Sequence, residues 1–145
     1  MKNPKSLLLV VCQIITMAYI FVTGPIFPAD PVFLILFLLG AALGVWAVYS
    51  FRTTKFHILP EVPENAALVT AGPYKIIRHP MYTSTLFITL ALVVNHPTPT
   101  RIFTYLLLVA ALLLKTEFEE RYLERHFKEY EAYREDTQKL LPYIY

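Results

Sequence analysis

The sequence predicts an all-α, multi-pass transmembrane protein with about four membrane helices. Three observations predict it. Hydrophobic residues make up 56% of the chain and charged residues 17%, where an ordinary soluble domain carries about 25% charged residues, and the mean hydropathy is +0.48. The apolar residues come in long blocks rather than alternating with polar ones. The basic residues gather at one side of those blocks. A length of 145 residues suits a single domain. It divides into two N-terminal membrane helices within residues 1–51 and a part spanning residues 52–145 that carries the polar segments.

The first block, Ser6 to Phe27, holds no formal charge, and neither does the second, Pro31 to Phe51. Each has about 21 residues, and at a rise of ~1.5 Å per residue each crosses the ~30 Å hydrocarbon layer. The first is longer than the apolar core of a signal peptide, and Thr23-Gly24-Pro25 offers no small-residue cleavage site, so it reads as a retained helix. The third and fourth blocks, Met81 to Val94 and Ile102 to Leu114, are shorter; about 13 residues reach only ~20 Å. Asn95-His96-Pro97-Thr98-Pro99-Thr100 joins them as a turn. Either each helix extends past its apolar block, or the pair is a hairpin short of full span. Pro80 suits the first position of the third helix. The fourth block runs without Gly or Pro into a charged segment, so its helix continues into water.

Of the 13 basic residues, only Arg101 falls on the far side of the membrane. Lys2 and Lys5 precede the first helix; Arg52, Lys55, Lys75 and Arg78 lie between the second and third; Lys115, Arg121, Arg125, Lys128, Arg134 and Lys139 follow the fourth. The positive-inside rule makes that face cytoplasmic, with both termini inside; in a prokaryote the membrane would be the inner or plasma membrane. This asymmetry accounts for the net charge of +2 without a nucleic-acid partner. The single cysteine, Cys12, acts as a small apolar residue of the first helix. The long loop from Arg52 to His79 and the tail from Lys115 to Tyr145 share the cytoplasmic face, so any site for a charged, water-borne cofactor is built from these two segments.

Two groups of residues could carry chemistry. In the loop, Gly72-Pro73-Tyr74 is followed by Arg78-His79-Pro80-Met81-Tyr82. A helix N-terminus presents unpaired N–H groups and a positive dipole end, and Arg78 and His79 beside it make a carboxylate site at the membrane surface. The plainer reading is an anchor: positive-inside cations, a first-turn proline and interfacial tyrosines. In the tail, Leu123, Phe127 and Tyr130 repeat at i, i+4, i+7 and mark one helical face. Glu119 falls on that face, whereas Glu120 is rotated by ~100°. A carboxylate on an apolar stripe requires a partner. The plainer reading of Lys115 and Glu119 is an i,i+4 ion pair like Glu117–Arg121 and Glu124–Lys128. His57, His96 and His126 are scattered, so a haem site is disfavoured, and no metal site is expected. Phosphate-loop, C-x-x-C and H-E-x-x-H patterns are missing.

These residues carry a resemblance. Leu68-Val69-Thr70-Ala71-Gly72-Pro73-Tyr74, Arg78-His79-Pro80-Met81-Tyr82, the turn at Asn95-His96-Pro97, Glu119-Glu120-x-x-Leu123 with Phe127, Tyr130-x-x-Tyr133 and Leu141-Pro142-Tyr143-Ile144 follow one another in that order. The run, from Ala66 to Ile144, resembles the isoprenylcysteine carboxyl methyltransferase family and the related phospholipid methyltransferases. The resemblance implies S-adenosylmethionine cradled at the cytoplasmic surface by the loop and the C-terminal helix. By position it implies cofactor contacts at Leu68, Val69, Tyr74, His79, Pro80, Met81, Tyr82 and Glu119. Residue chemistry puts Arg78 or His79 on the cofactor's carboxylate and makes His79 the base for a neutral acceptor. Lys115 stands where relatives often have an Arg lining the reaction centre, so Lys115, His79 and Arg78 are the candidate catalytic residues. A lysine there keeps the charge but loses bidentate geometry.

The sequence departs from the pattern at Ala66, a His in eukaryotic members; at Ser84, where Gly is common; and after Phe127, where a Gly is missing and the spacing is one residue short. The expected activity is methyl transfer to a lipophilic, isoprenoid or lipid-like acceptor drawn from the bilayer, with carboxyl O-methylation as one form. Phospholipid or amine N-methylation and a non-catalytic membrane assembly subunit remain the alternatives. The short third and fourth helices invite an oligomer.

Overall fold

The computed structural model describes residues 4–50 and 68–142. It is all-helical: α1 (Pro4–Val22), α2 (Pro31–Ser50), a short 3-10 helix (Gly72–Lys75), α3 (Pro80–Asn95), α4 (Pro99–His126) and α5 (Tyr130–Asp136). No strand occurs among the described residues; the only sheet-like contact there is an isolated parallel bridge between Ile77 and Gln138. Lys2, Arg52, Lys55, His57, Ala66, Tyr143 and Ile144, used in the sequence reading, lie outside the described residues.

Local chemistry sets the boundaries. Asp30 starts α2: its side chain accepts from the Val32 amide at 2.8 Å, and Pro31 takes the first helical position, where a missing N–H costs nothing. Pro80 does the same for α3. Thr98 caps α4 by accepting from the Arg101 amide at 3.3 Å, ahead of Pro99. The Asn95 side chain at the end of α3 ties the α1–α2 connection to it by accepting from the amides of Ala29 and Asp30.

Two helices, α1 and α2, have the length and apolarity of a membrane crossing. Only 22% and 11% of their apolar windows are buried within the molecule. Leu8, Ile15 and Val22 on α1, and Val32, Val45 and Tyr49 on α2, turn outward. A core helix of a soluble protein would bury such side chains, so these faces suit lipid. The α3 helix has 16 apolar-rich residues, short of the same standard. The α4 helix has 28 residues and runs well past its apolar block, as its uninterrupted sequence implies. The core lies where α1, α3 and α4 meet: Ile20, Leu92, Val93, Leu108 and Leu112 are buried there, with Phe21, Phe37 and Leu86 packed around them.

One expectation changes. The Leu123–Phe127–Tyr130 stripe implies an unbroken helix through the tail, but α4 ends at His126 and Phe127 is extended (φ −119, ψ 116). Tyr130 belongs to a separate helix, where it is wholly buried. Periodicity alone cannot separate a continuous helix from two short ones that bury the same side.

Candidate functional site

The loop and the tail meet at the N-terminal end of α3 and the C-terminal half of α4. Gly72 opens the 3-10 helix at φ 62, a left-handed conformation that disfavours any side chain. A Cβ there would also collide with Ser50 Oγ and stand 3.2 Å from Trp46 Nε1, so the loop can seat itself against the end of α2 only with glycine. The chain then pairs with the tail. The Arg78 amide donates to the Gln138 carbonyl at 2.8 Å, the His79 amide to the Lys139 carbonyl at 3.1 Å, and the Gln138 amide to the Ile76 carbonyl at 3.0 Å. Thr83 Oγ1 donates to the Leu140 carbonyl at 2.6 Å, and Tyr133 Oη to the Tyr74 carbonyl at 2.7 Å. Distant segments thus fix one set of side chains.

Glu120 is the hub of that set. Its Oε1 accepts from Arg78 Nε at 2.9 Å and faces His79 Nε2 at 3.1 Å, while its Oε2 lies 3.5 Å from Lys139 Nζ. Burial alone would raise the Glu120 carboxyl, but the hydrogen bonds from His79 and Arg78 prevail and hold it down at about 2. Arg78 also donates through Nη1 to the carbonyls of Arg134, at 3.1 Å, and Thr137. His79 is sandwiched: its Nδ1 lies 3.5 Å from Glu119 Oε2, opposite the Nε2 contact with Glu120. Burial works to lower the His79 imidazole, but bonds to Glu119 and Glu120 raise it overall above 6.5.

Glu119 is less engaged. It accepts from Tyr82 Oη and meets His79 only at 3.5 Å, and its side chain keeps 18% of its surface exposed, against 8% for Glu120. Tyr82 stacks on the His79 ring, with centroids 5.5 Å apart and planes 6° from parallel. Over the Tyr82 ring, 4.9 Å from its centroid, stands the ammonium of Lys115. Lys115 is 3% exposed and donates to Gln13 Oε1 on α1 at 3.0 Å. Burial, then Tyr133 and Glu119, push the Tyr74 hydroxyl upward, so it stays neutral.

The structure therefore brings together Tyr74, Arg78, His79, Pro80, Tyr82, Lys115 and Glu119. Met81 sits in the first turn of α3, and Leu68 and Val69 form half-buried coil ahead of the 3-10 helix. Lys115 makes no i,i+4 ion pair with Glu119; its polar partner is Gln13. Glu117 and Glu124 pair with Lys139 and Arg134 rather than with their helical neighbours. Among the described residues no group of three or more His, Cys, Asp or Glu is placed to hold a metal. Sequence reasoning ranked Glu120 below Glu119 and passed over Lys139 and Gln13 as site residues. Gln13 did carry a signal, as the one amide side chain in the first apolar block.

Residues 32–130 match the family model described as Phospholipid methyltransferase. No curated protein and no solved structure matches the chain.

Proposed function

The chain belongs to the phospholipid methyltransferase family, a family of membrane methyltransferases, and from that premise we propose that it transfers a methyl group from S-adenosylmethionine to a lipophilic acceptor at the cytoplasmic face. The observation that carries the reading is Glu119: a half-buried carboxylate with spare acceptor capacity, set among Tyr82, Tyr74 and His79. That donor set fits the cofactor. Glu119 suits its ammonium, and the faces of Tyr74 and Tyr82 suit its adenosine and the positive sulfur. Leu68, Val69, Pro80 and Met81 supply the apolar flank. Arg78 takes a different part. With Nε and Nη1 committed to Glu120 and to tail carbonyls, it braces the site rather than gripping the cofactor's carboxylate.

When bound, S-adenosylmethionine supplies a methyl already activated on a sulfonium, so the protein's task is to position partners and exclude water. Lys115 supports an acceptor that brings an anionic oxygen, since its ammonium is buried beside an amide and a ring, with no carboxylate oxygen in ion-pair range among the described residues. A carboxylate acceptor needs no general base. The two carboxylates flanking His79 push its imidazole upward and favour its donor form, which supports carboxyl O-methylation. The family description favours a second reading, N-methylation of a phospholipid amine, in which His79 would have to give up its proton to serve as base.

Calorimetry with S-adenosylhomocysteine on the detergent-purified protein tests the reading. Wild type is expected to bind, and Glu119→Ala to lose binding while melting at the same temperature. A wild type that binds nothing points to the non-catalytic membrane subunit and ends the proposal. Radiolabelled methyl transfer to farnesylcysteine and to phosphatidylethanolamine separates the two acceptor readings.

A further inference from the structure

The chain's methyltransferase reading leaves one polar residue without a task, and it lies in the least expected place. Gln13 is in the middle of α1, a helix read as crossing the bilayer. Its Oε1 accepts from Lys115 Nζ at 3.0 Å, and its Nε2 reaches only the thioether of Met17, at 4.0 Å. A thioether is a weak acceptor, so the amide N–H2 keeps its donor capacity. Lys115 carries three N–H donors; one goes to Gln13, and no other hydrogen-bond acceptor for it exists among the described residues. Two sets of donors therefore converge between α1 and α4, at the bilayer side of Tyr82 and Glu119. In an apolar surround such donors demand an acceptor.

We propose that Gln13 and Lys115 together form the anion site for the methyl acceptor, with Gln13 both fixing the Lys115 ammonium and donating its amide to the acceptor's carboxylate or phosphate oxygen. The inference rests on the methyltransferase reading and adds Gln13 as a positioning residue for the anionic head of the acceptor. The outer faces of α1 and α4 are apolar, so an acceptor's hydrocarbon can remain in lipid while its head lies against this pair.

A purely structural role for Gln13, as polar glue between helices, predicts something different. Gln13→Glu would place a carboxylate on the Lys115 ammonium. That strengthens the α1–α4 link but fills the anion site, so stability should hold or rise while acceptor affinity is lost. Gln13→Met keeps the shape and removes both hydrogen bonds. Binding is measured by calorimetry in the presence of S-adenosylhomocysteine, with N-acetyl-S-farnesylcysteine as the carboxylate probe and lysophosphatidylethanolamine as the phosphate probe. The methyl ester of the first is the uncharged control. Wild type is expected to bind at least one anionic probe and to bind the ester at least about tenfold more weakly than its acid. Gln13→Met should weaken the anionic probe by about tenfold and Gln13→Glu by more, with affinity for S-adenosylhomocysteine unchanged. Which probe binds decides between carboxylate and phosphate. Equal binding of acid and ester, no binding of either anionic probe to a wild type that holds S-adenosylhomocysteine, or wild-type affinity in Gln13→Glu overturns the inference. Failure of wild type to bind S-adenosylhomocysteine overturns the methyltransferase reading instead.

Discussion

Two adjacent glutamates differ in engagement: under the proposed function Glu119 holds the ligand, while Glu120 holds the fold. Glu119 has an exposed edge and light engagement; Glu120 is buried and bonded to Arg78 and His79, with Lys139 close by. Glu120→Ala would leave a buried guanidinium and imidazolium facing each other, and breaking a buried pair typically costs roughly 3–5 kcal/mol. Chemical denaturation in detergent should show that loss for Glu120→Ala and little change for Glu119→Ala; the reverse order would exchange their roles. The same pair sets a pH window. The Glu120 carboxyl lies below its ordinary 4.5, at about 2, so its contribution is complete above 4.5 and fades as pH falls toward 2. His79 is raised above 6.5, so its contribution is complete below 6.5 and fades as pH rises through the raised value. Melting temperature should therefore plateau between about pH 4.5 and 6.5 and decline on both sides, and Glu120→Gln should remove the acid decline. The apolar stripe pointed to Glu119 as the carboxylate in need of a buried partner, yet the buried, paired one is Glu120. The stripe was extended to Tyr130 through a break at Phe127, and the partners of Glu120 sit 41 and 42 residues away, beyond the reach of helical spacing.

At the level of elements, the bundle is held by close approach on one side and by a buried cation on the other. Gly40 and Gly44 of α2 lie against α3: a Cβ at Gly40 would stand 3.0 Å from Phe87 Cβ, and one at Gly44 would stand 2.5 Å from Ser84 Oγ. Ser84 Oγ donates to the Gly40 carbonyl at 2.7 Å. This is small-residue packing of the kind that lets membrane helices touch, and it gives a reason for a hydroxyl at a position where relatives often carry Gly. Gly44→Val is expected to force α2 from α3 at a cost of about 1–3 kcal/mol, read as a lower melting temperature; an unchanged one would mean the helices do not depend on that contact. On the other side Arg101, 1% exposed, reaches from the first turn of α4 to the carbonyls of Ile20 and Leu92, both at 2.8 Å, and to Thr23 Oγ1 at 3.0 Å. It closes the C-terminal ends of α1 and α3, where helix dipoles favour a cation. Arg101→Met should destabilise by about 1–3 kcal/mol through orphaned carbonyls. Gly24→Ala should act in the same direction, since its Cβ would meet Arg101 Nη1 at 2.5 Å. The helices themselves were readable from block length and proline placement. These contacts were not, because a glycine spacing and a lone arginine acquire meaning only when the neighbour that meets them is known.

For the whole molecule, the proposed orientation rests on charge, and the structure changes the weight of its one exception. Arg101 is the single basic residue assigned to the outer face, yet it is spent inside the bundle on backbone carbonyls rather than standing free in water. A buried, bonded cation does not oppose the positive-inside bias as a loop charge would, so the asymmetry is cleaner than the sequence alone implied. The span of α3 is the weaker link. At ~1.5 Å per residue the 16 residues of α3 reach only about 24 Å, so a full crossing needs local thinning or polar residues reaching for the interfaces. Cysteine accessibility settles both points. With Cys12 replaced by Ser, Thr100→Cys sits in the exposed first turn of α4 and Glu131→Cys on the exposed side of α5. A membrane-impermeant maleimide should label Thr100→Cys on intact cells and Glu131→Cys only after the membrane is opened. Reversed labelling would invert the orientation and place the Glu119 site outside. Labelling of both from one side would mean that α4 returns without crossing, and the site would then lack the bilayer depth that an acceptor drawn from lipid requires.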